Sequence, residues 1–134
     1  MRKRRPVGVW IVLVYQICVA LLSIYLVHFA PRWPENAAQK AYHEHLKTFD
    51  YVTIRIPALI GWTATILLFS LRKLAVPLLA LALGLSLAVM TRLALTSNWL
   101  EALGKGRDVV AVAVTIDFAI LLYAARLARK GVLY

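Results

Sequence analysis

Charge is scarce in this sequence and cysteine nearly absent. Only 16% of the 134 residues are charged, and most of these lie between long apolar runs. Soluble domains carry roughly 45–50% apolar residues. Here 62% are hydrophobic and the mean hydropathy is +0.74. A chain this short keeps much of its surface in water when it folds alone. So large an apolar excess has no small soluble core to enter, which excludes a soluble globular domain and a disordered chain. The single thiol, Cys18, has no partner for an internal disulfide. Redox chemistry of the Cys-x-x-Cys kind needs that partner, so Cys18 reads as one small apolar residue among others.

The usual catalytic sets are missing too. There is no Gly-rich phosphate loop, no Ser-His-Asp set and no His-Glu-x-x-His pattern. His43 and His45 flank Glu44. On a helix those two histidines stand about 200° apart and cannot face one zinc ion. No His pair within the apolar runs suits haem ligation. No catalytic residue, cofactor or metal is expected.

What is present is positive charge. Sixteen Lys and Arg stand against six Asp and Glu, a formal net charge of +10. In a soluble protein that balance points to nucleic acid. Here Arg2, Lys3, Arg4 and Arg5 precede one apolar run, Arg72 and Lys73 separate two others, and Arg126, Arg129 and Lys130 follow the last. Basic residues that flank apolar spans set topology and contact anionic lipid headgroups. The clusters lack the aromatic platforms of nucleic-acid sites, so no nucleic-acid partner is expected.

A bilayer core of ~30 Å needs about 20 helical residues. Four segments qualify: residues 7–29, 51–71, 74–95 and 109–125. The first is too long for the h-region of a cleaved signal peptide, usually about 7–15 residues. In the second, a helix opened by Pro57 would be too short to span, so the helix is expected to begin before Arg55 and to bend at Pro57. Pro77 falls in the first turn of the third, where a missing N–H costs little. Between spans one and two, Ala38, Tyr42, Leu46 and Phe49 recur at helical spacing, with Lys40, His43, Glu44 and Lys47 among them. That pattern predicts an amphipathic helix over 36–49 lying in the membrane interface. Asn98 and Glu101 resemble a capping box, with Gly104 ending the turn. Trp33, Tyr42, Tyr51 and Trp99 would form an aromatic belt on the outer face.

The expected fold is therefore an all-α integral membrane domain. It has four transmembrane helices in an up-down antiparallel bundle and a short interfacial helix between helices 1 and 2. Nine basic residues fall on the side of the termini and the 72–73 turn. Five (Arg32, Lys40, Lys47, Lys105 and Arg107) fall on the other. The positive-inside rule then puts both termini in the cytoplasm of a bacterial-type inner (plasma) membrane.

Three charges lie inside the spans: Arg55, Arg92 and Asp117. A charge near the bilayer centre costs about 2.5–3.5 kcal/mol on insertion scales. The economical arrangement pairs Asp117 with Arg55, Arg92 or both; in the alternative the two arginines snorkel to headgroups. Gln16, Thr63 or Thr65, Ser86 and Asp117 share one depth and would form a midplane polar layer of interhelical hydrogen bonds. Small residues repeat on span three as Ala80, Gly84 and Ala88, a stripe that Arg92 continues, and on span two as Ala58, Gly61 and Thr65. These stripes are expected to pack the 2–3 hairpin, and would equally serve a homo-oligomer contact.

Two functions follow. The first is a non-enzymatic accessory, assembly or oligomerising membrane subunit, its partners anionic lipid headgroups, further copies of itself or a larger membrane complex. The second is a small-solute or ion transporter or channel that uses Arg55, Arg92 and Asp117.

Overall fold

The computed structural model describes residues 5–28, 37–97, 99–104 and 106–134. It is helical, with no strand among the described residues. The elements are α1 (Val7–His28), α2 (Ala37–His45), α3 (Thr48–Phe69), α4 (Ala75–Thr96), α5 (Trp99–Leu103) and α6 (Gly106–Arg129). Helices α1, α3, α4 and α6 are long and apolar enough to cross a membrane, the mark of a multi-pass membrane protein.

The spans match the four apolar segments, with shifted ends. Helix α3 starts at Thr48, ahead of the expected position, because Asp50 secures its first turn: the Asp50 Oδ2 accepts the Lys47 N–H at 3.1 Å. Pro57 lies inside α3, as the length of the span required. Helix α6 runs past 109–125 at both ends. Arg107 Nε donates to the Leu100 carbonyl at 2.6 Å beside its start, and Arg126 and Arg129 occupy its last turn, where cations complement the helix dipole.

The single helix expected over 36–49 is two pieces. Helix α2 ends at His45, Leu46 and Lys47 are not helical, and Thr48 and Phe49 already belong to α3. The periodic pattern runs through a break that the Asp50 cap creates. Helix α2 packs against α5, and Gly104 ends α5 at φ 50°, its N–H donating to the Glu101 carbonyl at 3.1 Å. Asn98, Trp33 and the side chain of Tyr42 lie outside the described residues.

Helices α3 and α4 form a hairpin. Its turn is a Schellman closure: Leu71 N–H donates to the Leu68 carbonyl at 2.9 Å and Arg72 N–H to that of Leu67 at 2.8 Å. The left-handed position this closure requires is held by Leu71, at φ 57°, not by the usual glycine. Its side chain is buried, only 3% exposed, so burial outweighs the backbone preference. Helix α6 ends in the same closure with Gly131 in that position, its N–H bonding Ala128 and that of Val132 bonding Leu127.

The two closures meet. Tyr134 N–H donates to the Leu71 carbonyl at 2.8 Å, and Lys73 N–H donates to the main-chain oxygen of Tyr134 at 3.1 Å. Between them Leu133 is buried. The core gathers at this end, built from Val9 and Val12 of α1, Ala64 and Leu68 of α3, Ala75 and Leu79 of α4, and Ile120, Ala124 and Leu127 of α6. Ala64, Ala75 and Ala124 have no exposed surface; small side chains there let the backbones approach. Trp10 meets Phe69 edge-on at 4.9 Å, and the Arg5 guanidinium lies 4.0 Å above that Phe69 ring. At the opposite end of α1, Leu21 through Tyr25 are exposed.

Candidate functional site

The hairpin brings the first turn of α3 beside the last turns of α4. There Arg92 Nη2 donates to Asp50 Oδ1 at 3.1 Å, and its guanidinium stands 5.0 Å from the Phe49 ring centroid. Asp50 thus divides its work, one oxygen on Arg92 and the other on the Lys47 N–H. The expected pairing of Arg92 with Asp117 is replaced by this one. The reason is reach. Asp50 sits on the adjacent helix at the same end, whereas Asp117 lies deeper on α6. The boundaries expected from the sequence, a helix over 36–49 and a span over 51–71, leave Asp50 outside both. Equal spacing about the hairpin was the available signal, since Asp50 and Arg92 stand at nearly the same separation from the Arg72–Lys73 turn.

Asp117 is half-buried on α6. Tyr15 of α1 lies beside it: the Tyr15 hydroxyl donates to the Ala113 carbonyl, one turn before Asp117, in a long 3.5 Å contact, and Asp117 acts on that hydroxyl electrostatically. Among the described residues Asp117 makes no hydrogen bond and no ion pair. Arg55 also lacks either partner among them. It is exposed, on a face of α3 shared with exposed Val52, Leu59 and Ile66. Among the described residues no hydrogen bond or ion pair joins Arg55, Arg92 and Asp117 to one another.

Thr63 and Thr65 bond within their own helix. Thr63 donates to the Leu59 carbonyl at 3.0 Å and Thr65 to that of Gly61 at 2.9 Å. Both are bonds to the preceding turn of the same helix, the local alternative open to a threonine hydroxyl. Gln16 and Ser86 are half-buried on α1 and α4. No hydrogen bond links Gln16, Thr63, Ser86 and Asp117 among the described residues. The cross-helix polar contact at this depth comes instead from Tyr15.

The small-residue stripes divide as well. On α3, Gly61 and Thr65 face α4; a Cβ at Gly61 would stand 3.8 Å from that of Ala82. Ala58 is exposed. On α4 the buried positions are Ala75, Leu79, Ala82 and Leu93, while Ala80, Gly84 and Ala88 point outward. Nothing lies within 4 Å of a Cβ placed at Gly84. The helix is rotated so that Ala75, Leu79, Ala82 and Leu93, not the Ala80–Gly84–Ala88 stripe, are buried.

Comparison with protein-family models, curated proteins and solved structures gives no significant match to this chain.

Proposed function

We propose that this protein is a non-enzymatic, multi-pass subunit of a bacterial-type inner membrane that acts by association, as an accessory, assembly or self-associating component. In this reading α1, α3, α4 and α6 form an up-down antiparallel bundle, α2 lies in the outer interface, and both termini are cytoplasmic. The end carrying Arg5, Arg72, Lys73, Arg126, Arg129 and Lys130 then contacts anionic headgroups.

The observation that carries the proposal is how the packing is distributed. The interior is closed by apolar and small side chains at one end. The outward surface keeps what helix association uses in lipid, namely the exposed Ala80–Gly84–Ala88 stripe. A transport path through the fold would draw on Arg55, Arg92 and Asp117 together, and among the described residues no hydrogen bond or ion pair joins them to one another. The second reading, a small-solute or ion transporter, draws on one feature: Asp117 is half-buried with no bonded partner among the described residues, and intramembrane acids often mark ion paths.

The test is extraction of the tagged protein in mild detergent, with its assembly size and co-purifying proteins determined, alongside proton and anion flux in vesicles. Association without flux is expected. A monomer that carries a flux abolished by Asp117→Asn would replace the proposal with the transporter.

A further inference from the structure

The described acidic residues avoid one end of this fold. Residues 1–34, 51–100 and 118–134 contain no Asp or Glu. The described acids stand in α2, the first turn of α3, α5 and the first half of α6. At the end where α6 closes on the α3–α4 turn stand Arg5, Arg72, Lys73, Arg126, Arg129 and Lys130, all exposed. Among the described residues no carboxylate lies there to answer them. One of these bases is held in place. The Arg5 guanidinium lies 4.0 Å from the centre of the Phe69 ring, and Trp10 meets the same ring at 86°. Phe69 packs against the apolar core, so the platform under Arg5 is fixed. A guanidinium resting on an aromatic face still presents its rim of N–H donors, the fork that grips a phosphate through two parallel hydrogen bonds. Arg5 makes no hydrogen bond or ion pair among the described residues. Apolar surface continues from this point into the span. Val14 stands one turn on from Trp10 and Ile66 one turn before Phe69, both exposed, and α1 and α3 are packed neighbours. An anion that carries apolar chains fits both parts, whereas a free anion or a nucleic-acid phosphate uses only the first.

We infer that Arg5, held on Phe69 beside Trp10, seats the phosphate of one anionic phospholipid, whose acyl chains lie over Val14 and Ile66. The inference rests on the reading that this end meets a headgroup layer, and adds to it a single selective site. The selectivity has a physical source. Every phospholipid carries a phosphate, but a zwitterionic headgroup places a cation beside it. Arg72 and Lys73 follow Phe69 by three and four residues and oppose that cation. The site therefore favours a headgroup of net negative charge.

The test uses the full chain in mild detergent. Phosphatidylglycerol and phosphatidylcholine of one acyl composition are supplied in equal amounts, and the lipids that stay bound are counted by native mass spectrometry. One phosphatidylglycerol per chain should be retained in preference. Arg5→Gln should lower that preference about fivefold or more. Arg129→Gln removes the same charge from the same end and should change it by less than about twofold. Arg5→Lys keeps the charge without the planar fork and should lose most of the preference. Phe69→Tyr keeps the ring and should retain it. Equal losses in Arg5→Gln and Arg129→Gln, or a preference that Arg5→Lys leaves whole, would overturn the site in favour of diffuse attraction. Retention of inorganic phosphate but not of phosphatidylglycerol would assign the site to a free anion and equally overturn it. The same spectra report assembly size. A monomer that keeps its Arg5-dependent lipid supports the site and removes the association proposed above. An assembly with no lipid preference overturns the site and leaves that association standing.

Discussion

Replacing Asp50 tests how one carboxylate holds both the start of α3 and the α3–α4 hairpin. Its Oδ2 accepts the Lys47 N–H and its Oδ1 accepts Arg92 Nη2, both at 3.1 Å. The Asp50 side chain is 16% exposed and that of Arg92 46%. An ion pair with one partner so open to solvent belongs in the surface range, about 0.2–1 kcal/mol. A lost cap costs about 0.5–2 kcal/mol. Asp50→Asn keeps an acceptor for Lys47 but loses the charge, so it should cost about 0.2–1 kcal/mol. Arg92→Gln should cost about the same. Asp50→Ala loses both interactions and should cost about 1–3 kcal/mol. The assay is reversible unfolding in mixed micelles, followed through tryptophan fluorescence. The coupling in the Asp50→Asn/Arg92→Gln cycle measures the pair itself. If Asp50→Ala is no worse than Asp50→Asn, the cap contributes nothing. If the cycle is strictly additive, the ion pair contributes nothing. Either result refutes that part of the argument.

At Leu71 the usual order of substitutions should invert. Both Leu71→Ala and Leu71→Gly lose a buried side chain, but glycine regains about 1 kcal/mol by relieving the left-handed backbone, so unfolding should show Leu71→Gly as the milder change. Gly8→Ala would put a Cβ 2.5 Å from Cζ of Tyr123 and should destabilise by about 1–3 kcal/mol through overpacking. Tyr123→Leu in the same chain should remove that penalty, and a neutral Gly8→Ala alone would show that the Tyr123 ring moves aside without cost and refute the penalty. A reporter fused after Tyr134 that matures only in the periplasm should be silent; activity there would reverse the proposed topology.

The spans were legible because apolar length is a one-dimensional property: about 20 uncharged residues will cross a bilayer whatever surrounds them. Pro57 inside α3 and Gly104 at the end of α5 were legible for related reasons, one from span length and the other from glycine's freedom in the left-handed region. The break at Leu46 and Lys47 was not, because side chains with helical spacing continue through it and only the Asp50 cap interrupts them. Leu71 in a glycine position was not legible either, since burial of its side chain exists only after α3, α4 and the Tyr134 strap have come together.

Rotation of the helices about their axes was the larger thing hidden. A helix apolar all round carries no polar stripe to distinguish its inner face, so Ala80, Gly84 and Ala88 looked as good a packing face as Ala75, Leu79 and Ala82. The choice between them depends on how all the side chains of α3 and α4 interlock at once. The partners of the intramembrane charges follow from that choice. The sequence by itself determined that three charges lie within the spans, and at what depth. Tertiary packing decided that Arg92 meets Asp50 and that, among the described residues, Arg55 and Asp117 are not joined, because a side chain of fixed reach can answer only a charge that helix rotation brings within it.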